Sequence, residues 1–100
     1  MKAKTKKSRV ESAVSAEART ARALALKIHG WAERPFREVN SANAIGEYLA
    51  ANGFYVEFPF KKIPTAVRAT WGKGKPAIGL LGEYDALPNC GPEEAEWGHG

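Results

Sequence analysis

Two acidic residues that follow an apolar run are the feature of this sequence that most suggests chemistry. The stretch AIGLLGEYDALPNC, residues 77–90, places Glu83 and Asp85 two positions apart, just before Leu87-Pro88. Residues i and i+2 of a β-strand project from one face, so the two carboxylates are expected side by side, roughly 6–7 Å apart. At that separation they repel each other unless a cation lies near or one of them stays protonated.

This acid pair, Glu83 and Asp85, has several possible roles. It could ligate a metal ion, orient a metal-bound histidine, or act as a general acid and base. Open α/β sheets bind ligands at the carboxyl ends of their strands, which favours a functional role. Alternatively, both side chains simply enter solvent where the strand ends. The residue types alone leave these alternatives open.

The helices that would position the acid pair can be predicted from hydrophobic periodicity. Apolar residues at three- and four-residue steps predict a helix from Val10 to Ala32, which Pro35 stops or bends. A second helix is predicted with Ser41 as its N-cap and with Asn52-Gly53 as its C-terminal stop.

Three strands are predicted after the helices. Residues 54–58 (FYVEF) and 65–71 (TAVRATW) are rich in aromatic and β-branched side chains, and residues 77–86 carry the acid pair. The second and third strands are expected to pair as an antiparallel hairpin across the turn GKGKP. The sequence therefore predicts an α/β fold in which N-terminal helices are followed by a β-hairpin and a further strand.

The formal charge of +4 comes from the start of the chain. Residues 1–9 hold five of the fifteen basic side chains, so residues 10–100 have ten bases against eleven acids, a net charge of −1. We expect residues 1–9 to be a disordered basic tail and residues 10–100 to be the N-terminal part of a larger folded domain. The tail has no aromatic residue to stack on bases, so no nucleic-acid partner is expected. No apolar run is long enough to cross a membrane.

The remaining candidates for chemistry are few. The single cysteine, Cys90, permits no internal disulfide and fits a reducing, cytoplasmic compartment. A nucleophilic pair of Cys90 with His99 lacks an orienting third group, and two ligands are too few for a structural zinc site. His29 is interpreted as an ordinary surface or boundary histidine of the first helix.

Four stretches of the chain resemble the amidohydrolase branch of the dinuclear metallohydrolases of the aminoacylase and carboxypeptidase type. They are NSANAIGEYLAANGFYV, IPTAVRATWGKGKPAIG, GEYDALP and the terminal WGHG. The resemblance covers about 70 residues, roughly Lys27 to Gly100. GEYDALP followed by Gly-His-Gly is the more specific part of it, whereas the helices are less so.

The resemblance implies the partial catalytic domain of an α/β-sandwich metallopeptidase. It implies metal-dependent hydrolysis of an amide bond in an N-acyl or aminobenzoyl amino acid or a small dipeptide, with two zinc or manganese ions in the full-length enzyme. It also implies a homodimer or hetero-oligomer. By resemblance Asp85 is the catalytic-centre residue that supports the metals, Glu83 stands where many relatives have a metal-ligating histidine, and His99 lies near the metal site.

The family's cysteine and histidine ligands would begin after Gly100, so the chain is expected to be truncated before the metal-ligand segment. A hydrolytic dinuclear centre needs more ligands, and a base, than one aspartate, one glutamate and one histidine provide. This chain alone is therefore expected to bind no metal and to be inactive. The rival hypothesis is a non-catalytic remnant or interaction module whose basic tail binds an acidic partner.

Overall fold

Two helices followed by a small antiparallel sheet make up the protein, as seen in a computed structural model that describes residues 5–92. The elements in chain order are helix α1 (Lys6–Trp31), helix α2 (Val39–Ala51), strand β1 (Tyr55–Glu57) and strand β2 (Arg68–Thr70). The mixed α/β class is confirmed. Across residues 5–92, neither helix combines the length and the apolar character that crossing a bilayer requires.

Helix α1 begins earlier than its apolar stripe predicts. Thr5 is the N-cap, and its hydroxyl oxygen accepts a 3.0 Å hydrogen bond from the amide of Ser8, whose own hydroxyl donates to the Thr5 carbonyl. Threonine at this position satisfies an amide that the first turn leaves free, so the polar residues Lys6–Arg9 join the helix. This part of the expected tail is helical, whereas residues 1–4 lie outside the described residues.

The junction between the helices differs from the prediction. Helix α1 ends at Trp31, and its C-cap is Ala32, a buried residue in the left-handed conformation (φ 45°) whose amide donates to the Ile28 carbonyl. Helix α2 then starts at Val39 with Glu38 as its N-cap, so the prediction of Ser41 as the cap is wrong. Ser41 lies in the first turn and is fully buried, and a side chain from outside the helix supplies the capping oxygens instead.

The end of α2 is confirmed. The helix stops at Ala51, and Gly53 adopts a positive φ of 90°, which glycine tolerates without a Cβ penalty. The chain then turns into β1. This strand packs against α2 at Gly46, where the lack of a side chain lets the two backbones come close. A Cβ built on Gly46 would lie 3.7 Å from the Cγ1 atom of Val56.

The sheet pairs the first two predicted strands rather than the second and third. β1 and β2 are antiparallel, with Tyr55 opposite Thr70 and Glu57 opposite Arg68. The last pair is also an ion pair, because Arg68 Nε lies 3.7 Å from Glu57 Oε2. The predicted hairpin across GKGKP is therefore wrong.

The third predicted strand is also absent from the described part of the chain, since residues 77–86 form no ladder. Its apolar side chains are almost fully exposed: Ile78 is 86%, Leu80 97% and Leu81 98% accessible. A strand exists through hydrogen bonds to a neighbour, and within the described residues β2 pairs with β1 and not with residues 77–86. β-propensity without a partner strand leaves this segment irregular.

The best-buried side chains lie at the junction of the helices and the loop before β2. They are Ala32, Ser41, Ala42 and Thr65. Two of these four are polar, and the hydroxyl of one of them, Thr65, donates a hydrogen bond to Glu38. The same junction holds the segment that carries the acid pair.

Candidate functional site

The acid pair lies in a segment that two hydrogen bonds attach to the body of the protein. The Tyr84 hydroxyl donates to the main-chain oxygen of Thr65, and the amide of Ala86 donates to the main-chain oxygen of Glu33 at 2.6 Å. Tyr84 and Ala86 flank Asp85 directly. The backbone on both sides of this carboxylate is therefore held, although the apolar residues before it are not.

Glu33 joins three parts of the structure. It follows the end of α1, its main-chain oxygen holds Ala86, and its carboxylate accepts from the amides of Asn40 at 2.9 Å and Ser41 at 2.7 Å. These amides belong to the first turn of α2, where N–H groups lack helical partners and the helix dipole favours negative charge. Glu33 thus caps α2. It also fixes the segment that carries Glu83 and Asp85, called the acid segment below, relative to this helix.

A second carboxylate, that of Glu38, supports the hydrogen bond by which Tyr84 is anchored to Thr65. The Thr65 hydroxyl donates to Glu38 Oε1 at 2.9 Å, and Thr65 is only 5% exposed. The Thr65 carbonyl, which accepts from Tyr84, is therefore on a residue that is itself restrained. Partial burial, and secondarily the negative charge of Glu38, raise the pKa of Tyr84 above its ordinary value, so the phenol keeps its proton and can donate.

Both members of the acid pair line one cleft. The cleft has a volume of about 340 Å³ and lies between the C-terminal part of α1 and residues 83–91. Glu83 is exposed and Asp85 is half-buried at its wall. The opposite wall comes from the end of α1 and its C-cap, where Ala25, Ile28 and Ala32 are apolar and His29 adds an imidazole. The arrangement presents carboxylate oxygens beside an apolar surface.

His29 and Cys90 also line this cleft, a neighbourhood that the sequence does not indicate. The sequence alone makes His29 an ordinary helix histidine, and only the path of the chain after Tyr84 brings it to the same cavity as Asp85. Cys90 is a free, exposed thiol. His99, the third candidate from the resemblance, lies outside the described residues.

The described residues do not by themselves form a metal centre. Between residues 5 and 92, no group of three or more histidine, cysteine, aspartate and glutamate side chains is arranged to hold an ion. Two carboxylates on one cleft are a partial ligand set at most, since a structural or catalytic zinc site takes at least three protein ligands. A complete metal centre would need further ligands from outside residues 5–92.

Sequence reasoning misses the residues that hold the acid segment: Glu33, Glu38, Thr65 and Tyr84. Glu33 and Glu38 lie between the two predicted helices. Acidic residues are favoured near a helix N-terminus, so their position is the sequence signal that could have indicated a capping role. The contacts of Thr65 and Tyr84 span 27 and 19 residues along the chain, which no local pattern reports.

Comparison with known proteins gives one informative match. The chain is 38% identical over 78 residues to the B subunit of p-aminobenzoyl-glutamate hydrolase from Escherichia coli (strain K12). The match covers 78% of this chain but 16% of the relative, so the chain spans less than a fifth of the length of that protein. No family model matches the chain, and no solved structure matches it. Over the matched residues, this similarity supports the hydrolase family that the sequence resembles.

Proposed function

We propose that this chain is the N-terminal part of an amidohydrolase that cleaves an amide bond of an aminobenzoyl or N-acyl amino acid or a small dipeptide. The observation that carries the proposal is the 38% identity over 78 residues to a protein named as a hydrolase of p-aminobenzoyl-glutamate. The placement of Glu83 and Asp85 on one cleft supports it, because amide hydrolysis needs charged groups near the scissile bond.

In this proposal Asp85 supports the catalytic centre and Glu83 is a candidate ligand within it. Zinc or manganese ions of the complete enzyme would take their other ligands from outside residues 5–92, His99 being a further candidate near them. When bound, such ions polarise a carbonyl and acidify a water molecule. A small amide or dipeptide is the partner, with no nucleic acid or membrane. The proposal also includes a cytoplasmic location, an α/β-sandwich catalytic domain and a homodimer or hetero-oligomer.

The experiment is an exchange of segments with the relative. Residues 27–100 of this chain replace the matching segment of the Escherichia coli protein, and hydrolysis of p-aminobenzoyl-glutamate is measured with manganese or zinc added. We expect the hybrid to be active and Asp85→Asn in the hybrid to lower kcat/KM by roughly 10- to 100-fold, as for residues that orient metal ligands. The 100-residue chain alone should give no turnover.

Glu47→Gln is the matched control, since Glu47 lies exposed on α2 and away from the cleft lining. It should leave hybrid activity unchanged. A hybrid that folds, by circular dichroism, and shows no hydrolysis would contradict the proposal and favour the non-catalytic interaction module. So would an Asp85→Asn hybrid as active as its parent.

A further inference from the structure

We propose that Tyr84 is a positioning residue: its hydroxyl sets where the carboxylates of Glu83 and Asp85 stand in the cleft. The assignment of a catalytic role to this acid pair rests on the proposed function. The anchoring of Tyr84 to Thr65 does not rest on the proposed function, because it is a hydrogen bond among the described residues. Tyr84 would act through its neighbours rather than by touching substrate.

The first argument is the position of Tyr84 between the two acids. Tyr84 stands directly between Glu83 and Asp85 and lines the same cleft as both acids, so a restraint on Tyr84 limits where its two neighbours lie. The structure has the Tyr84 hydroxyl on the Thr65 main-chain oxygen and both acids on the cleft formed with α1. One phenolic bond therefore restrains the residue that joins the two acids.

The second argument is the contrast with the residues just before the acids. Within the described part of the chain, residues 77–82 make no hydrogen bond, and Leu81 is 98% exposed. The acid segment thus gains no order from the chain that leads into it. Two hydrogen bonds that restrain it are the Tyr84 bond to Thr65 and the Ala86 amide bond to Glu33.

The third argument is that the acceptor of the Tyr84 bond is itself fixed. Thr65 is 5% exposed and its hydroxyl is bonded to Glu38, which is the N-cap of α2. A hydrogen bond restrains a segment only if its partner does not move with it. The chain Tyr84–Thr65–Glu38 ends on the helix and meets that condition.

The first test uses the full 100-residue chain and needs no ligand. Tyr84→Phe removes the hydroxyl and keeps the ring. Amide hydrogen exchange, followed by NMR, should become faster at Ala86 by roughly three- to tenfold, the range that one hydrogen bond contributes. Tyr48→Phe is the matched control, because it also loses a phenolic bond, to Glu17, but far from the cleft lining. It should leave Ala86 exchange unchanged.

The second test measures kcat and KM separately in the active hybrid. If Tyr84 positions groups that act in the transition state, Tyr84→Phe should lower kcat roughly tenfold or more while KM changes less than about twofold. A role in general stability would instead reduce the amount of folded hybrid and leave the kcat of the remainder unchanged. Glu47→Gln, exposed on α2 and outside the cleft lining, is the control in the hybrid and should alter neither constant.

The outcomes separate this inference from the proposed function. Unchanged Ala86 exchange in Tyr84→Phe, or equal acceleration in both variants, overturns the anchor. Faster exchange at Ala86 with an unchanged kcat overturns the positioning role, although the anchor stands. An inactive parent hybrid overturns the proposed function instead, and the exchange result still decides whether Tyr84 holds the segment.

Discussion

The amide of Ala86 donates a 2.6 Å hydrogen bond to the main-chain oxygen of Glu33, 53 residues earlier in the sequence, while the Glu33 carboxylate caps helix α2. Through this one residue, the start of a helix and the backbone beside Asp85 share a support. The site and the fold are therefore coupled, and several consequences can be measured.

Replacing Glu33 by alanine should destabilise the protein. The change removes both oxygens that accept from the amides of Asn40 and Ser41, and loss of a helix cap costs about 0.5–2 kcal/mol. Urea denaturation followed by circular dichroism measures the effect. Glu47→Ala on the exposed face of α2 is the control and should change the free energy of unfolding little. Equal losses in the two variants would argue against the cap.

Replacing Ser41 by alanine should be neutral or stabilising. The hydroxyl of Ser41 is buried and has no hydrogen-bond partner within residues 5–92, so removing it relieves a desolvated polar group. Alanine also has the higher helix propensity. If Ser41 were the N-cap that local sequence indicates, the same change would cost about 1 kcal/mol. The sign of the change in urea midpoint decides between the two.

Two glycines should respond in opposite ways to alanine. Gly53 has a φ of 90°, a conformation that costs an L-residue roughly 1–2 kcal/mol, so Gly53→Ala should destabilise. Gly30 lies within α1, and a Cβ there would meet nothing within 4 Å. Gly30→Ala should raise stability by up to about 1 kcal/mol. Thermal unfolding of the two variants in parallel measures both effects, and a loss at Gly30 would contradict the helix boundary.

Alkaline titration should show two tyrosines that ionise late. Burial raises the pKa of Tyr84 above the ordinary 10.0, and the hydrogen bond to Glu17 raises the pKa of Tyr48. Because the folded-state pKa is the higher one, their stabilising contribution is full below pH 10 and is lost as the pH rises through the raised values. Tyrosinate absorbance in the near ultraviolet measures ionisation. Tyr84→Phe and Tyr48→Phe should each remove one late component, and a variant that removes none would refute its assignment.

The exposed apolar segment should tolerate polar residues. Leu80 and Leu81 are 97% and 98% accessible, so Leu80→Lys and Leu81→Lys should each change stability by less than about 0.5 kcal/mol. They should also reduce binding of a hydrophobic dye such as ANS, because exposed apolar patches bind it. Ala42→Leu, at a fully buried position, is the contrasting variant and should cost about 1–3 kcal/mol. A large loss at Leu80 would show that this segment packs in solution.

Local sequence is a reliable guide where structure depends on neighbours along the chain. The period of the apolar residues predicts both helices, and Gly53 predicts the end of the second. The aromatic and β-branched residues around Tyr55 and Arg68 predict two strands. Local patterns fail where a distant group intervenes: the Glu33 carboxylate, not the Ser41 hydroxyl, accepts from the first turn of α2, and β2 pairs with β1 rather than with the expected third strand.

The sequence by itself determined the α/β class and the two helices, and it singled out Glu83 and Asp85 as candidate site residues. Periodicity, capping chemistry and residue type are local properties, and for that reason the sequence shows them. Only the tertiary structure decided that Tyr84 reaches Thr65, that Ala86 meets Glu33, and that His29 shares a cleft with the acids. The two hydrogen bonds among these contacts join residues 19 and 53 positions apart. They form because polar groups that are wholly or partly buried need partners, and the partners available depend on how the whole chain folds.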